Sequence, residues 1–379
     1  MPASDSNPEP ASAVPNEEAS SEPSDSFNGG DVSSPDESGD LPPPLTPGLV
    51  PQPGSCIGEA GCPWSLRSPM LLHGARHAAV AHEGKVYVLG GQTWEDDMIQ
   101  FGFFYGFPSP SPEESPPLHS GMREYDPVTQ AWSERARLPH GNFFIAAHSL
   151  SGKIYTFSGF NGEGYEPYVQ EYDPSTDQWS QHDPLPSLRS QFSTAAVGGK
   201  VYVMGGRGLI DGGEPDAAEN KTAVDIFDPA AGWSAGAPLP QAVSGAASCE
   251  LGGAIYVFGG DGSNLTSIYD VAGNSWSYGS PPPFARGAQA CARSGTRLFL
   301  FGGWDAQGTA LDLVESYDPA TDTWTTHPPM PTPRYTPAAV ALNDDIYVFG
   351  GAQYVPVVTL ENYSGLLDAV EVLRTSSAR

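Results

Sequence analysis

A short segment recurs six times along the chain, and this repeat constrains the fold more than any other feature. Each copy has small residues, a tight polar turn, and an alternating run of Val, Ile, Tyr and Phe that ends in a glycine pair. The copies end at Gly91, Gly159, Gly206, Gly260, Gly303 and Gly351, and Ser158 replaces one glycine in the second copy. Alternating β-branched and aromatic residues bounded by turn residues predict two antiparallel strands per copy.

A second segment follows five of the six copies and predicts two more strands. It combines an aromatic residue, an aspartate in a turn that usually contains proline, and a tryptophan. The tryptophans are Trp132, Trp179, Trp233, Trp276 and Trp324. The turn carboxylate can accept backbone N–H groups, and the indole can fill the space against the neighbouring repeat. We therefore expect these aspartates and tryptophans to be structural.

The glycine pair, the Tyr-Asp-Pro turn and the tryptophan together resemble the kelch repeat, from about Trp64 to Leu373. The resemblance implies an all-β fold, a six-bladed kelch-type β-propeller with four antiparallel strands per blade around a central channel. The sixth copy lacks its tryptophan, whereas Trp64 stands ahead of the first copy as Trp324 stands ahead of the sixth. We therefore expect the last blade to be closed by the N-terminal strand.

The residues ahead of the repeats have a different composition. From Met1 to about Ser55 the chain is rich in Ser, Pro, Asp and Glu and has neither Lys nor Arg. This predicts a disordered tail and linker over 1–55 and the propeller over 56–379. The tail fits a solubilising segment, or the tether of a surface protein whose signal or anchor has been removed. An extracytoplasmic or cell-surface location is slightly favoured on the second interpretation, with a cytoplasmic one as the alternative.

The charge of the chain excludes two classes of partner. The formal net charge is -28 with only four lysines, which repels nucleic acids and anionic membrane surfaces. No apolar run reaches the ~18 residues that a membrane-spanning helix needs, so membrane insertion is not expected. An acidic surface is also typical of salt-adapted proteins, so the charge does not identify a ligand. We expect a monomer.

The four cysteines are too few for a disulfide-rich scaffold. Cys56 and Cys62 lie where the tail meets the repeats, and they could form a bridge in an oxidising compartment or remain free. Cys249 and Cys291 lie in the small-residue segments of two different repeats. We interpret the latter two as small core residues.

Function is expected on one face of the propeller. Antiparallel order places the loops between the second and third strands on the same side as the loops that join consecutive blades, and we call this side the loop face. Four arginines precede innermost strands there: Arg76, Arg189, Arg286 and Arg334. Asn142 and Val243 occupy the corresponding places in blades two and four. A guanidinium can hold a carboxylate of a ligand, or it can bond neighbouring carbonyls across the channel mouth.

Aromatic residues concentrate in the longest loops of this face. They are Trp94, Phe103, Phe104 and Tyr105 in the loop of blade one, and Tyr354 and Tyr363 in the loop of blade six. Blade six neighbours blade one in a closed ring, so we expect the two groups to lie close together. Aromatic faces can stack on sugar rings or receive a proline-rich peptide. Alternatively, the run FGFFYGF could pack on its own blade.

The sequence has no recognisable catalytic or metal-binding motif, since it lacks a Gly-x-Ser-x-Gly elbow and a CxxC pair. We expect no catalytic residue, metal or cofactor, and we predict a non-catalytic module that binds a glycan, a peptide or a protein at the loop face. The alternatives are a carbohydrate-active enzyme of the N-acetylneuraminate epimerase (mutarotase) type and a protein-interaction scaffold. For the enzyme, Glu163, Glu166 and His77 would be the candidate proton-transfer groups.

Overall fold

The computed structural model describes residues 56–375, apart from residues 58, 72–73, 94–118, 162–163, 211–217, 262 and 354–364. The chain divides into the units Met1–Gly48 and Leu49–Arg379, and every described residue belongs to the second. The predicted tail lies outside the described residues, so its disorder and the boundary after residue 55 stay predictions. Among the described residues there is no α-helix, and therefore none that could cross a membrane.

Six four-stranded antiparallel sheets form the blades, and the strands of each blade follow in order from the innermost to the outermost. Blade one has β3 (Ala78–His82), β4 (Lys85–Leu89), β6 (Met122–Asp126) and β7 (Ala131–Glu134), and blade two has β8 (Ala146–Leu150), β9 (Lys153–Phe157), β10 (Val169–Asp173) and β11 (Gln178–Gln181). Blade three has β13 (Ser193–Val197), β14 (Lys200–Met204), β17 (Val224–Asp228) and β18 (Gly232–Ala235), and blade four has β19 (Ala247–Leu251), β20 (Ala254–Phe258), β21 (Thr266–Asp270) and β22 (Ser275–Gly279). Blade five has β23 (Ala290–Ser294), β24 (Arg297–Phe301), β25 (Val314–Asp318) and β26 (Thr323–Thr326), and blade six has β27 (Ala338–Leu342), β28 (Asp345–Phe349), β29 (Val370–Arg374) and β1 (Trp64–Leu66).

Five short strands lie in the loops of the loop face. They are β2 (Gly74–Ala75) paired with β5 (Gln92–Thr93), and the three-stranded sheet of β12 (Arg189–Ser190), β15 (Arg207–Leu209) and β16 (Ala218–Asn220). The innermost strands of the blades pack in cyclic order, β3 on β8, β8 on β13, β13 on β19, β19 on β23, β23 on β27 and β27 on β3. This order surrounds a central channel, and the predicted all-β propeller fold is confirmed.

The N-terminal strand belongs to the same sheet as the last strand of the chain. β1 pairs antiparallel with β29, with Trp64 opposite Leu373 and Leu66 opposite Glu371. Trp64 is buried, and its indole nitrogen donates to the carbonyl oxygen of Pro328 at 3.2 Å. β1 thus supplies the outermost strand of blade six, where the sixth repeat has no tryptophan of its own.

The hydrophobic core lies between neighbouring blades. For example, Val88 and Tyr125 of blade one pack with Tyr347, Phe349 and Val372 of blade six in one buried cluster. The alternating strands direct one row of side chains to each neighbouring blade, so every blade shares apolar surface with the next. Apolar burial of this kind is the main favourable contribution to folding, about 25 cal/mol per Å² removed from water.

The repeated tryptophans fasten adjacent blades, as the sequence predicts. Their indole N–H groups donate to backbone oxygens of the preceding connection: Trp132 to Ser68, Trp179 to Ala136, Trp233 to Asp183, Trp276 to Ala237 and Trp324 to Ser280. The turn aspartates act as predicted too. The Oδ1 atom of Asp126 accepts the N–H groups of Val128 at 2.8 Å and Thr129 at 3.2 Å, and these bonds lower the pKa of Asp126.

Two disulfides are present, and one of them was not predicted from the sequence. Cys249 on β19 and Cys291 on β23 form a disulfide, with Cα atoms 6.0 Å apart. Both lie in the buried cluster between blades four and five, as predicted. The bond between them was not predicted, and it forms because the innermost strands of these two blades run side by side. Cys56 and Cys62 form the second disulfide, which was one of the two alternatives. No cysteine in the described part of the chain is free.

Candidate functional site at the loop face

Six residues with a left-handed backbone encircle the channel on the loop face, each two positions before an innermost strand. They are Arg76, Phe144, Gln191, Gly245, Ala288 and Thr336, with φ between 50° and 63°. Backbone hydrogen bonds of 2.8 to 3.3 Å connect these residues around the channel. The N–H of one residue donates to the carbonyl oxygen of the next in the order Phe144, Arg76, Thr336, Ala288, Gly245 and Gln191. We call these six residues the mouth ring. The left-handed conformation costs on the order of 1 kcal/mol for a residue with a side chain, and the hydrogen bonds offset it.

The glycine pairs hold the mouth ring against the blades. Gly303 donates its N–H to the carbonyl oxygen of Arg334, in the connection to the next blade, at 2.9 Å. Its φ is 101°, and a Cβ atom here would lie 2.6 Å from the carbonyl oxygen of Gly287. Only glycine meets both conditions at this position. The second residue of the pair is glycine in all six blades, whereas the first is Ser158 in blade two.

Three of the four predicted arginines are buried and form ion pairs within their own blades. The pairs are Arg189 with Asp225 at 2.7 Å, Arg286 with Glu315 at 3.0 Å, and Arg334 with Glu371 at 2.6 Å. Arg334 also donates to Gly350 O at 2.8 Å, and Arg189 to Gly205 O at 2.8 Å. In this conformation the three guanidiniums contact the protein itself, as the alternative interpretation of the sequence holds. A role for them in binding a ligand remains a prediction.

Burial sets the electrostatics of these pairs. Desolvation lowers the pKa of Arg286 to about 10, and the nearby Glu315 carboxylate opposes this effect. Burial raises the pKa of Glu315 and of Glu371, and the paired arginines oppose that change. Each carboxylate lies at the second position of the third strand of its blade. The pairs therefore attach the connection before the innermost strand to the third strand of the same blade.

Blade one differs from this pattern. Arg123 of β6 occupies the position at which blades three, five and six have a carboxylate. Arg76, in the connection before β3, is half-buried and donates to the side-chain oxygen of Gln92. Its guanidinium carbon lies 5.1 Å from the ring centroid of Phe144 and 5.8 Å from that of Phe143. Of the four predicted arginines, Arg76 is the one that reaches the surface beside aromatic rings.

A row of four aromatic side chains continues from Arg76 across blade two, and we call it the aromatic shelf. Its members are Phe144, Phe143, Phe160 and Tyr165, with successive ring centroids 5.4, 5.4 and 5.5 Å apart. All four are half-exposed. Backbone bridges from Phe143 to Phe160 and from Phe160 to Tyr165 fix the row in place. The shelf thus offers rigid apolar surface next to a cation.

Sequence reasoning missed this shelf, and it also missed a second aromatic group across the mouth. The centroids of Trp304 and Tyr335 lie 5.1 Å apart, beside Asp261 and Gly287, on blades four to six. One signal was available, because Trp304 directly follows a glycine pair and so falls outside the register of the structural tryptophans. The sequence did not indicate a surface role for Phe143 and Phe144, because both directly precede the small-residue strand of their repeat.

The aromatic residues predicted for the site lie outside the described residues. They are Trp94, Phe103, Phe104, Tyr105, Tyr354 and Tyr363. Their loops start and end on the loop face, since β4 and β6 flank one of them and β28 and β29 flank the other. Their place in the binding surface therefore stays a prediction.

The candidate proton-transfer groups are in unlike surroundings. His77 is buried under the glycine pair of blade six, and desolvation lowers its pKa to about 4. Glu166 accepts a hydrogen bond from the Asn161 amide at 2.8 Å. Glu163 lies outside the described residues. Within the described residues, no group of three His, Cys, Asp or Glu side chains could hold a metal ion.

Two family models match the chain. The KLHDC2/KLHL20/DRC7 Kelch-repeats domain matches residues 245–376, and the Kelch motif matches residues 143–184. Both models describe kelch repeats, so the predicted resemblance to the kelch repeat is confirmed for these two segments. The two matches cover Trp304 and Tyr335 in the first segment and the aromatic shelf in the second, so both aromatic groups lie in the loops of kelch repeats.

Two curated relatives share part of the kelch-repeat region. Both are named Kelch repeat and BTB domain-containing protein 12, one from Danio rerio and one from Homo sapiens. The first is 31% identical over 106 residues, which is 28% of this chain and 15% of the relative. The second is 31% identical over 104 residues, which is 27% of this chain and 15% of the relative. The matched segment is thus a small part of these relatives.

Proposed function

We propose that this kelch-repeat propeller binds an extended segment of a partner protein on its loop face, at the aromatic shelf and Arg76. The observation that carries the proposal is the distribution of exposed apolar side chains. Seven large hydrophobic residues of the described chain are exposed, and five of them lie in loops of the loop face: Leu71, Leu188, Leu209, Ile210 and Phe284. Exposed apolar surface concentrated on one face is typical of a protein-binding site.

The chemistry of the shelf fits a polypeptide. Half-exposed aromatic rings held by backbone bridges lose little conformational entropy on binding, and they are common anchors at protein interfaces. Their faces accept proline rings and aliphatic side chains. The guanidinium of Arg76 lies 5.1 Å from the ring centroid of Phe144, and guanidinium groups bind peptide carbonyls and carboxylates. The aromatic run of residues 101–107 would extend the same surface if it lies as the sequence predicts.

The other candidates have weaker support. The aromatic shelf would also suit a sugar, but the exposed aliphatic residues in the loops of the loop face favour a protein ligand. An epimerase-type enzyme needs a proton-transfer group near its substrate, and His77 is buried with a lowered pKa. We therefore place the peptide-binding function first.

The proposal is tested by selecting peptide ligands and then changing the shelf. Peptides are selected from a random display library on the immobilised protein, and their affinities are measured by calorimetry. Phe143→Ser and Arg76→Ala should each weaken binding by about tenfold or more, since both remove contacts at the centre of the surface. Thermal melting should show that both variants remain folded.

The matched control is Tyr278→Ser, which removes an exposed aromatic residue from β22, outside the loops of the loop face. It should leave the affinity unchanged. Equal effects of Phe143→Ser and Tyr278→Ser would contradict the proposal. So would a library that yields no ligand while a glycan array yields one.

A further inference from the structure

Trp304 differs from the other tryptophans that the structure describes. The six others donate their indole N–H to a backbone carbonyl between blades, and so serve packing. Trp304 makes no such bond within the described chain and is half-exposed. Its backbone is held in a fixed position by two hydrogen bonds with Gly287, at 2.9 and 3.2 Å. The indole is thus positioned but is not used to join blades.

A carboxylate and two aromatic rings converge beside this indole. A Cβ atom on Gly287 would lie 2.7 Å from Asp261 Oδ1 and 2.9 Å from Trp304 Nε1. The Tyr335 ring lies 5.1 Å from the Trp304 ring at an angle of 42°. Gly287 has no left-handed φ, so its backbone does not require glycine. The missing side chain instead allows the carboxylate and the indole to lie close to the Gly287 backbone.

Asp261 is held by one of its oxygens. Its N–H donates to the carbonyl oxygen of Ser244 at 2.8 Å, and its Oδ2 accepts the Ser244 hydroxyl at 3.1 Å. The other oxygen, Oδ1, faces Gly287 and Gly245. No Lys, Arg or His in the described ranges forms an ion pair with Asp261. The half-buried Asp261 side chain therefore has one oxygen beside the Trp304 indole, with no cation supplied by the described chain.

The mouth ring has small residues beside this group. Gly245 and Ala288, the ring residues beside Asp261 and Trp304, have the smallest side chains of the six. On the other side of the channel the ring carries Arg76 and Phe144. The loop face thus has an arginine beside aromatic rings at blades one and two, and an aspartate beside aromatic rings at blades four to six.

We propose that Asp261, Trp304 and Tyr335 form a pocket for the positively charged side chain of a Lys or Arg residue in the bound polypeptide. A cation is attracted to the faces of Trp and Tyr rings and forms a charge-assisted hydrogen bond with a carboxylate. The net charge of -28 favours approach of a basic segment. A metal ion fits less well, because one carboxylate and two aromatic rings supply too few oxygen ligands.

This inference rests on the proposed function for the nature of the ligand, but it can be tested without it. The probes are three capped tripeptides, Gly-Lys-Gly, Gly-Arg-Gly and Gly-norleucine-Gly. The readout is the indole ¹H–¹⁵N NMR signal of Trp304, assigned with a Trp304→Phe variant. The two basic probes should shift this signal saturably, and the neutral norleucine probe should not.

Asp261→Asn should weaken the binding of both basic probes by about tenfold, the effect expected for loss of one charge-assisted contact. The control is Asp270→Asn on β21, which removes the same charge from an exposed turn and should leave binding unchanged. The other indole signals report whether each variant is folded. Should Asp261→Asn be unfolded, Gly287→Ala, which places a methyl group against both the carboxylate and the indole, must abolish the shift instead.

The inference is overturned if norleucine shifts the Trp304 signal as strongly as lysine does, if neither basic probe shifts it, or if both Asp variants bind equally. Its failure can be told apart from failure of the proposed function. Peptides selected from the library would then still bind through the aromatic shelf, but without a basic residue whose replacement by norleucine weakens binding.

Discussion

At the scale of single residues, burial decides which groups can carry charge. His77 is buried beneath the glycine pair of blade six, and desolvation lowers its pKa to about 4, with smaller contributions from Arg123 and Arg334. In the unfolded chain a histidine titrates near 6.5. Below pH 6.5 the unfolded state therefore binds a proton that the folded state does not bind. The stability from this residue is fully present above pH 6.5 and is lost as the pH falls towards 4.

We expect the free energy of unfolding to fall between pH 6.5 and pH 4 with a contribution of about 1.4 kcal/mol per pH unit from one histidine. His77→Gln should be less stable at pH 7 but should show a shallower fall over this range, because it removes the buried titrating group. Urea denaturation at half-unit pH steps measures both. His182→Gln, at a partly exposed histidine, is the control, and an equally shallow slope in that variant would contradict the assignment.

At the scale of elements, the repeat explains most of what the sequence could predict. Strand alternation, the glycine pairs and the turn aspartates are local patterns with a fixed period, so the strands of each blade follow from them. The buried ion pairs and the Cys249–Cys291 disulfide depend on which residues face each other across strands far apart in sequence, and no local pattern contains that information. The aromatic shelf was missed for a related reason. In the sequence Phe143 simply precedes a strand, and its contact with Phe160 is visible only in the structure.

The pair of Arg286 and Glu315 tests how one such contact stabilises a blade. Arg286→Met should lower the free energy of unfolding by about 3–5 kcal/mol, because it leaves the Glu315 carboxylate buried without its partner. The double variant Arg286→Met with Glu315→Leu should be more stable than the single variant. Chemical denaturation of all three proteins gives the comparison. Arg293→Met, in a surface pair with Glu250, should cost less than about 1 kcal/mol, and a double variant no more stable than Arg286→Met would contradict the argument.

At the scale of the whole molecule, the pairing of β1 with β29 links the two ends of the described chain. Trp64 packs in a buried cluster with Phe301, Ile346 and Leu373, which belong to blades five and six. β1 therefore covers the edge of blade six and contributes to the core between two blades. Every blade then depends on the N-terminal strand through the ring of contacts between innermost strands.

Two truncations test this dependence. Deleting residues through Met70 should unfold the propeller, because it exposes the edge of β29 and removes Trp64 from the core. Deleting residues through Gln52 should leave the thermal midpoint almost unchanged, because the removed segment is rich in Ser, Pro, Asp and Glu. Thermal melting followed by circular dichroism compares the two proteins. Identical melting of both would show that β1 is not needed for the closed ring.

The register of β1 against β29 also determines how the propeller responds to a pulling force. Trp64 lies opposite Leu373, so the start of β1 and the end of β29 lie at the same end of the strand pair. Tension applied between them opens the strand pair one hydrogen bond after another, as a zipper opens, rather than shearing all the bonds together. We therefore expect blade six to unfold first under tension. The Cys249–Cys291 disulfide joins residues 42 positions apart. The fully unfolded chain under tension is therefore shorter by roughly 140 Å than it would be without this bond.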